Sequence, residues 1–322
     1  MKARTAGLVV LLSLAALCAA APLLAPHDPW RQFRGYAYAP PMLPHVWHEG
    51  ALRSPFFYPV TVVDRLQRRY AEDREHPQPI HFFEGGRLLS SGEDRPWLLL
   101  GGDPLGRDVF ARLLTGGRLS LAVAAVAVLL TLLAGSLAGA VAGFAGGRLE
   151  RLITATADFV IVLPMTYAIL TLRASMPLFL APSTVFWTMV VVMAVATWPF
   201  PARGVRAIIA AERHKGYAEA AYALGGSPLR ILLRHLLPAA AGHIAIQGLL
   251  LFPAYIFAEA TLSFVGLGFA EPSASWGVML QDAERVSAMT EAPWLLAPAA
   301  AIVVSVLAVH MTAAREQLLT RH

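Results

Sequence analysis

Long, almost uncharged apolar runs are the feature that most constrains how this chain folds. Six stretches approach or exceed the roughly 20 residues that a helix needs to cross a lipid bilayer. They are 7–25, 119–143, 152–172, 182–201, 239–258 and 293–314. Of the 322 residues, 15% are charged, whereas soluble domains carry roughly 25%. The sequence therefore predicts an all-α integral membrane protein with six transmembrane helices.

One strongly positive loop sets the predicted orientation of these spans. Between Arg203 and Arg234 the chain has six basic residues and two acidic ones. Short loops of this kind stay in the cytoplasm. Counting spans in both directions from this loop places both chain termini in the cytoplasm, in agreement with Lys2 and Arg4 near the start. The basic excess is interpreted as a topology signal and not as a nucleic-acid patch.

The first apolar run, 7–25, has two interpretations. A secretory signal peptide also starts with basic residues and ends with small ones, here Ala19–Ala21. Leu17 and Cys18 make a poor lipoprotein processing site, because the residue before the cysteine should be small. We interpret 1–25 as an uncleaved first transmembrane helix. Cys18 is the only cysteine, which excludes an internal disulfide and a multi-cysteine metal site.

A polar, proline-rich segment, 26–117, follows the first span. Its prolines exclude a long helix. One or two helical turns are expected in Asp64–Arg74. A hairpin with a glycine turn is expected in Ile80–Leu89. His45 and His48 are interpreted as ordinary surface residues and not as metal ligands.

Glycines recur every four residues in the second span, at Gly135, Gly139 and Gly143. Small residues at this spacing form a helix face that a second helix can approach closely. The pattern predicts a tight helix–helix contact on this face.

An amphipathic island, Tyr217–Pro238, separates the fourth and fifth spans. Ala218–Leu224 are mostly good helix formers, and the glycine pair that starts at Gly225 is expected to stop that helix. Ser227 is a good N-cap and Pro228 a good first residue for a second helix. Helical spacing in that second helix predicts one apolar face, made of Leu229, Leu232, Leu233 and Leu236.

This island resembles the cytoplasmic loop of ABC importer permeases. The family pattern is E-A-A, three residues, a glycine, nine residues and I-x-L-P. The chain has Glu219-Ala220-Ala221, Gly225 at the same distance, and Leu236-Leu237-Pro238, with leucine at the isoleucine position. In that family the short helix before the glycine docks in a groove of the ATPase subunit. The resemblance implies an ATPase-coupling role for Glu219, Ala220, Ala221, Leu224, Gly225 and Pro238.

Two further stretches resemble motifs of the dipeptide, oligopeptide and nickel permeases within that family. Gly102–Asp108 is similar to G-T-D-x-x-G-R-D but lacks the threonine, and we expect it to form a tight, hydrogen-bonded structural loop at the outer face. Glu259–Ser275, which is expected to be irregular, and the Trp276-Gly277 pair are similar to the run at the outer end of the family's fifth helix. The C-terminal tail, Ala308–Leu319, keeps only the general character of the family's ending.

Two acidic residues in or near the spans are candidate pathway or gating residues. Asp158 has two open interpretations: a structural or gating role, or pairing with Arg151 at the membrane interface. Glu259 either lines the pathway or caps the fifth helix.

The resemblance implies the type I ABC importer fold, with a small irregular or β-containing periplasmic insertion after helix 1. The expected regions are a first transmembrane helix (1–25), a periplasmic segment (26–117) and a five-helix permease domain (118–322) with a coupling loop (202–238). It also implies a bacterial inner-membrane location in contact with lipid. The implied partners are a second homologous permease subunit, two ABC ATPase subunits that bind ATP and Mg, and a periplasmic solute-binding protein. The cargo remains open between peptides, nickel chelates and other small solutes.

The sequence lacks the motifs that other classes of function would need. A nucleotide-binding P-loop needs G-x-x-x-x-G-K-[ST], and neither Lys2 nor Lys215 has that context. The energy is therefore expected from a partner, with no cofactor or metal held by this chain. A membrane-embedded enzyme would need convergent catalytic side chains, but Asp158, His243 and His310 fall on different predicted helices. An ATP-independent secondary carrier or channel is the alternative, although neither needs a coupling loop.

Overall fold

The computed structural model describes residues 2–48, 51–64, 68–84, 86–91, 95–163, 180–284 and 290–313. The chain forms two compact units. The first comprises Met1–Gly7, Ala122–Ala258 and Val309–His322, and the second comprises Leu8–Leu121 and Glu259–Ala308. Each unit therefore brings together residues that are distant in sequence.

The helices are numbered in chain order. They are α1 (Lys2–Ala19), α2 (Ala21–Leu24), α3 (Val109–Ala145), α4 (Gly147–Val162), α5 (Pro182–Thr197), α6 (Pro199–Glu212), α7 (Gly216–Ala223), α8 (Pro228–Ile231), α9 (Ala241–Phe264), α10 (Trp276–Gln281) and α11 (Ala297–Ala313). A π-helix, Leu232–Leu236, and a 3-10 helix, Leu237–Ala240, join α8 to α9. A second 3-10 helix, Pro293–Leu296, precedes α11.

Among the described residues, three helices are long and apolar enough to cross a membrane: Val109–Ala145, Pro228–Phe264 and Pro293–Thr312. Helices α5 and α6 make a fourth candidate if the two are taken together, with a bend of 43° between them. The apolar part of α1, Arg4–Ala19, is shorter, and the predicted third span is described only up to residue 163. The described part of the chain thus contains three or four candidate spans, and six remains a prediction.

Two expectations about helix boundaries are wrong. The fourth span is not one helix over 182–201, because it breaks at Trp198 and a new helix begins at Pro199. Proline has no N–H to continue the helical hydrogen bonds and is well suited to the first turn of a new helix. The irregular outer run does not start at Glu259, because α9 continues through that residue to Phe264.

The described residues of the polar segment after the first helices form seven short strands. They are β1 (His45–His48), β2 (Ala51–Phe57), β3 (Val60–Asp64), β4 (Arg69–Glu72), β5 (Gln78–Pro79), β6 (His81–Glu84) and β7 (Arg87–Ser90). They form a three-stranded antiparallel sheet in the order β1-β2-β5 and two hairpins, β3-β4 and β6-β7. The predicted hairpin in Ile80–Leu89 is confirmed, with Glu84 opposite Arg87.

The helical turns expected in Asp64–Arg74 are wrong for the described residues, because Asp64 and Arg69–Glu72 belong to the β3-β4 hairpin. Residues 65–67 of this stretch lie outside the described residues. Valine and threonine dominate Val60–Asp64, and β-branched side chains favour strands. A buried apolar cluster supports these strands and fixes them to the chain on either side. Its members are Phe33, Ala39, Met42, Phe57, Val60, Ile80, Trp97 and Leu98.

The predicted close contact on the glycine face of α3 is confirmed within the first unit. A Cβ at Gly139 would lie 2.3 Å from the carbonyl oxygen of Ala202 in α6. A Cβ at Gly143 would lie 2.6 Å from the carbonyl oxygen of Arg206. Glycine is needed here because only it lets the two helix backbones approach this closely.

Candidate functional site

Helix α7 is anchored to the first unit by one small-residue face. Ala218 is fully buried and Ala221 packs against the same apolar cluster. The other buried members of the cluster are Ala140, Val205, Ile209, Ile231, Leu232, Leu236 and Ala240. Ala218 and Ala221, of which only Ala221 belongs to the E-A-A pattern, therefore let α7 lie close against α6 and the segment that follows α7.

The opposite face of α7 is exposed. Glu219 and Ala220 lie on it, and Leu224, directly after the helix, is 89% exposed. Tyr222 is four residues after Ala218 and lies on the anchored side, where its ring stacks on that of Phe144 with the centroids 6.4 Å apart. A leucine as exposed as Leu224 on a polar loop is suited to contact with another molecule. The structure thus separates the predicted coupling residues into an anchoring side and a free side.

Gly225 ends α7 as the sequence predicts. Its φ is +79°, a conformation that glycine adopts without strain. Its N–H donates to the carbonyl of Tyr222 at 2.9 Å, and the N–H of Gly226 donates to that of Ala221 at 3.0 Å. This pair of hydrogen bonds is the Schellman arrangement that satisfies the last carbonyls of a helix.

The second helix of the island differs from its prediction in two respects. Ser227 precedes Pro228 in an extended conformation, but its side chain makes no capping hydrogen bond. The expected single apolar face is wrong, because Leu232 and Leu236 are buried while Leu229 and Leu233 are exposed. The backbone changes from α to π geometry at Leu232, which breaks the helical spacing on which the prediction rested.

Pro238 lies where the π-helix gives way to a 3-10 helix. The N–H of Leu237 donates to the carbonyl of Leu232, five residues earlier. Proline removes the next backbone donor, so regular α-helical bonding cannot continue through this position. Pro238 therefore marks an irregular joint between the island and α9.

Ion pairs tie α6 to the neighbouring helix α4. Asp158 pairs with Arg203 and not with Arg151, so the expected partner is wrong. Glu150 accepts a hydrogen bond from Arg206 at 2.5 Å. The Asp158 and Arg203 side chains are about half exposed, and exposed pairs contribute roughly 0–1 kcal/mol. Asp158 thus has a structural contact with the neighbouring helix, whereas a gating role stays a prediction.

A hydrogen bond connects the end of α6 to the start of α7. The hydroxyl of Tyr217 donates to Glu212 at 2.6 Å, and Lys215 pairs with the same carboxylate at 2.7 Å. The hydrogen bond to Glu212 raises the pKa of Tyr217 to about 12. These contacts fix the turn from which α7 begins.

Glu259 is fully buried in the second unit, near the end of α9. The hydroxyl of Ser263 donates to its Oε1 at 2.8 Å and in turn accepts from the N–H of Phe269 at 3.1 Å. The buried serines Ser120 and Ser275 lie beside the same carboxyl group. Glu259 therefore fastens the turn after α9, and a role in lining the pathway stays a prediction.

The outer loop, Gly102–Asp108, is the tight, hydrogen-bonded loop that the sequence predicts. The Asp103 carboxylate accepts from the N–H groups of Leu105 and Arg107, at 2.8 and 2.9 Å. The Arg107 side chain also donates to Asp103 at 2.5 Å. Gly102 and Asp108 are joined as an isolated antiparallel bridge.

This loop is joined to the second motif by an ion-pair network that the sequence analysis missed. Arg107 binds both carboxylate oxygens of Glu271, at 2.7 and 3.0 Å, and Arg112 binds one of them at 2.8 Å. Both arginines are buried. A signal was present, since Glu271 is the only charged residue after Glu259 in the motif run Glu259–Ser275.

Charges in this network shift the pKa values of two acidic side chains outside the spans. Burial opposes ionisation of Glu271, but hydrogen bonds from Arg107 and Arg112 outweigh it and lower its pKa. Burial, assisted by the Asp103 carboxylate, raises the pKa of Asp282 to about 6. Both arginines are thus bound by Glu271 of the same unit, and the network holds the two motifs together.

These features define a membrane protein with an anchored, partly exposed helix on one loop and two further loops that are joined by buried arginines. Residues 132–318 match the model of the family described as binding-protein-dependent transport system inner membrane component. The chain belongs to this family of transport permeases. Residues 2–41, which include α1 and α2, match the family model of the N-terminal TM domain of oligopeptide transport permease C.

Curated relatives are named as permease proteins of peptide transport systems. The chain is 35% identical over 196 residues to the oligopeptide transport system permease protein OppC of Bacillus subtilis (strain 168). The matched region covers 61% of this chain and 62% of that protein. It is 34% identical over 232 residues to the dipeptide permease DppC of the same strain, 72% of this chain and 64% of that protein. It is 29% identical over 311 residues to the di/tripeptide permease DppC of Pseudomonas aeruginosa (strain UCBPP-PA14), 96% of this chain and 84% of that protein. The matched part thus spans a little under two thirds of the two Bacillus proteins.

Proposed function

We propose that this chain is a permease subunit of an ATP-driven importer of peptides. It would form the translocation path together with a second homologous permease subunit and receive its cargo from a periplasmic binding protein. Family membership supports the permease class, and the relatives named for oligopeptides, dipeptides and di/tripeptides support the cargo class. The proposed location is the inner membrane of a bacterial cell, with both termini in the cytoplasm.

The exposed face of α7 is the observation that carries the proposal. Leu224 exposes apolar surface on a loop that the positive-inside rule predicts to be cytoplasmic. That face is available to one of two ATPase subunits, which would bind ATP and Mg. The buried face, at Ala218 and Ala221, connects any displacement of α7 to α6 and α9. Movement of the ATPase would thereby reach the transmembrane helices.

Substitutions on the exposed face test this role. Glu219→Lys and Leu224→Gln are expected to leave insertion and subunit assembly intact, because neither side chain is buried. Both variants should lose transport in proteoliposomes while the ATPase subunits still hydrolyse ATP. Leu149→Gln is the matched control, since Leu149 is an exposed leucine at the start of α4. Normal transport by both α7 variants would refute the coupling assignment.

Uptake by the reconstituted complex tests the cargo. A mixture of short peptides and a chelated nickel salt are offered in parallel, with and without ATP. ATP-dependent peptide uptake is expected, and nickel uptake without peptide uptake would overturn the peptide assignment. Uptake that continues after the partner ATPase is inactivated would instead favour a secondary carrier or channel.

We also propose that the strand-containing segment, 26–101, contacts the binding protein. Trp47 and Leu52 lie opposite each other on the β1-β2 hairpin and are 61% and 76% exposed. Such a cross-strand apolar pair is suited to an interface with another protein. Deleting the segment would disrupt the apolar cluster around Trp97, so point substitutions are the cleaner experiment.

The paired substitution Trp47→Ser with Leu52→Ser is expected to weaken binding of the loaded binding protein to the reconstituted complex. Val63→Ser is the control, because Val63 is an exposed apolar residue on a different hairpin. Unchanged affinity in the double variant would overturn this part of the proposal.

A further inference from the structure

A groove of about 740 Å³ lies on the first unit beside the irregular joint at Pro238. Leu233 and Leu237 come to it from the π and 3-10 turns, and Gly248 comes from α9. Leu132 of α3 and Arg4 of α1 complete the part of the wall that matters here. The groove therefore joins the start of the chain to the segment that follows the coupling helix.

The groove combines an apolar lining with a charged side chain. Among the described residues that line it, Arg4 carries the only charge, and the other lining residues are aliphatic side chains, proline, alanine or glycine. A Cβ at Gly248 would already lie 3.1 Å from the Leu132 side chain, so the glycine keeps this part of the groove open. An apolar trough with a guanidinium in its wall fits a hydrocarbon chain attached to an anionic head.

The charge around the groove favours the same occupant. Arg4 lies near a basic chain start, and Arg230 and Arg234 are exposed on the neighbouring turns. This side of the protein is the one predicted to face the cytoplasm, where basic residues next to the membrane attract anionic lipids. Each such residue near the surface contributes enough to change lipid affinity about fivefold.

We propose that this groove binds an anionic phospholipid, with an acyl chain in the apolar trough and the phosphate group at Arg4. Three residues of the irregular joint line the groove: Leu233, Leu237 and Pro238. A bound lipid would therefore stabilise the π and 3-10 geometry that links α8 to α9. The site does not depend on the identity of the transported cargo.

Lipid retention by the full-length protein tests the proposal. The protein is delipidated, offered phosphatidylglycerol or phosphatidylcholine with identical acyl chains, and examined by native mass spectrometry. Phosphatidylglycerol is expected to be retained preferentially. Arg4→Ala should weaken this binding about fivefold and Arg4→Lys should preserve it, because lysine keeps the charge. Ala245→Trp, at a residue that lines the groove, should fill it and displace both lipids.

Arg148→Ala is the matched control, because Arg148 is an exposed arginine that does not line the groove. The proposal is overturned if Arg4→Ala retains as much phosphatidylglycerol as the unaltered protein, or if the two lipids bind equally. It is also overturned if the isolated chain binds the lipid but loses it on assembly, since the groove would then be covered by the second permease subunit.

Discussion

Replacing Gly225 by alanine tests whether the capped end of α7 is needed for coupling. Gly225 has a φ of +79°, and the two hydrogen bonds that close α7 depend on this conformation. No atom lies within 4 Å of the position that a Cβ would take. An alanine therefore meets no clash, and its whole effect is backbone strain. For a residue with a side chain this strain costs roughly 1–2 kcal/mol.

A penalty of that size lowers the equilibrium constant for forming the capped helix end by about 5- to 30-fold. We expect Gly225→Ala to insert and assemble normally, because the site is exposed. Leu224 would no longer be held in place after α7, so transport should fall while ATP hydrolysis continues. Gly225→Asn should be milder, because asparagine tolerates the left-handed conformation better than alanine does.

The measurement is the amount of solute transported per ATP hydrolysed in proteoliposomes. Gly216→Ala is the matched control, since its Cβ also meets open space and its φ lies outside the left-handed range. The reasoning is refuted if Gly225→Ala and Gly216→Ala transport equally well. It is also refuted if Gly225→Ala is strongly destabilised in thermal unfolding, because strain at an exposed turn should not unfold the protein.

Three further substitutions have defined outcomes. Gly139→Ala should destabilise the protein by roughly 1–3 kcal/mol in thermal unfolding, because its Cβ would lie 2.3 Å from the carbonyl oxygen of Ala202. Gly242→Ala is the control, because its Cβ would meet open space and should not change the stability. Equal stabilities of the two variants would contradict the close helix contact. Burial favours the protonated form of Asp282, so its contribution to stability is complete below its ordinary pKa of 3.8 and is lost as the pH rises through about 6. The amide in Asp282→Asn cannot ionise, so this variant should be more stable than the unaltered protein at neutral pH by up to about 3 kcal/mol. The expectation is contradicted if the variant and the unaltered protein differ in melting temperature by the same amount at low and at neutral pH. Glu259→Ala should lower the melting temperature more than Glu259→Gln; a Gln variant of normal stability that fails to transport would point to a pathway role instead.

Local signals in the sequence were sufficient for several features because each depends on near neighbours alone. The Gly225–Gly226 pair predicted the end of α7, since a left-handed turn needs only a residue without a side chain at that position. The β6-β7 hairpin followed from the glycines of its turn. The four-residue spacing of Gly139 and Gly143 predicted a close helix contact, although not which helix makes it.

Longer-range features could not be read from neighbouring residues. Helical turns were expected in Asp64–Arg74, but Arg69–Glu72 pairs with Val60–Asp64 as a strand, and this pairing is not visible in the residues of the stretch alone. Pairing of Asp158 with Arg151 in its own helix was one of two open interpretations, but helix packing brings Arg203 beside it. Of the predicted coupling residues, only the packing shows which side of α7 is buried and which is exposed.

The sequence by itself determined that this is a membrane protein of the permease family with a loop that resembles the family's coupling loop, because span length, charge asymmetry and motif spacing are properties of the chain. Only the tertiary structure decided that Glu271, 164 positions after Arg107, joins the two motifs that contain these residues. It also decided that Arg4 meets the joint at Pro238. The physical reason is that ion pairs and grooves depend on distances in space, and separation along the chain does not fix those distances.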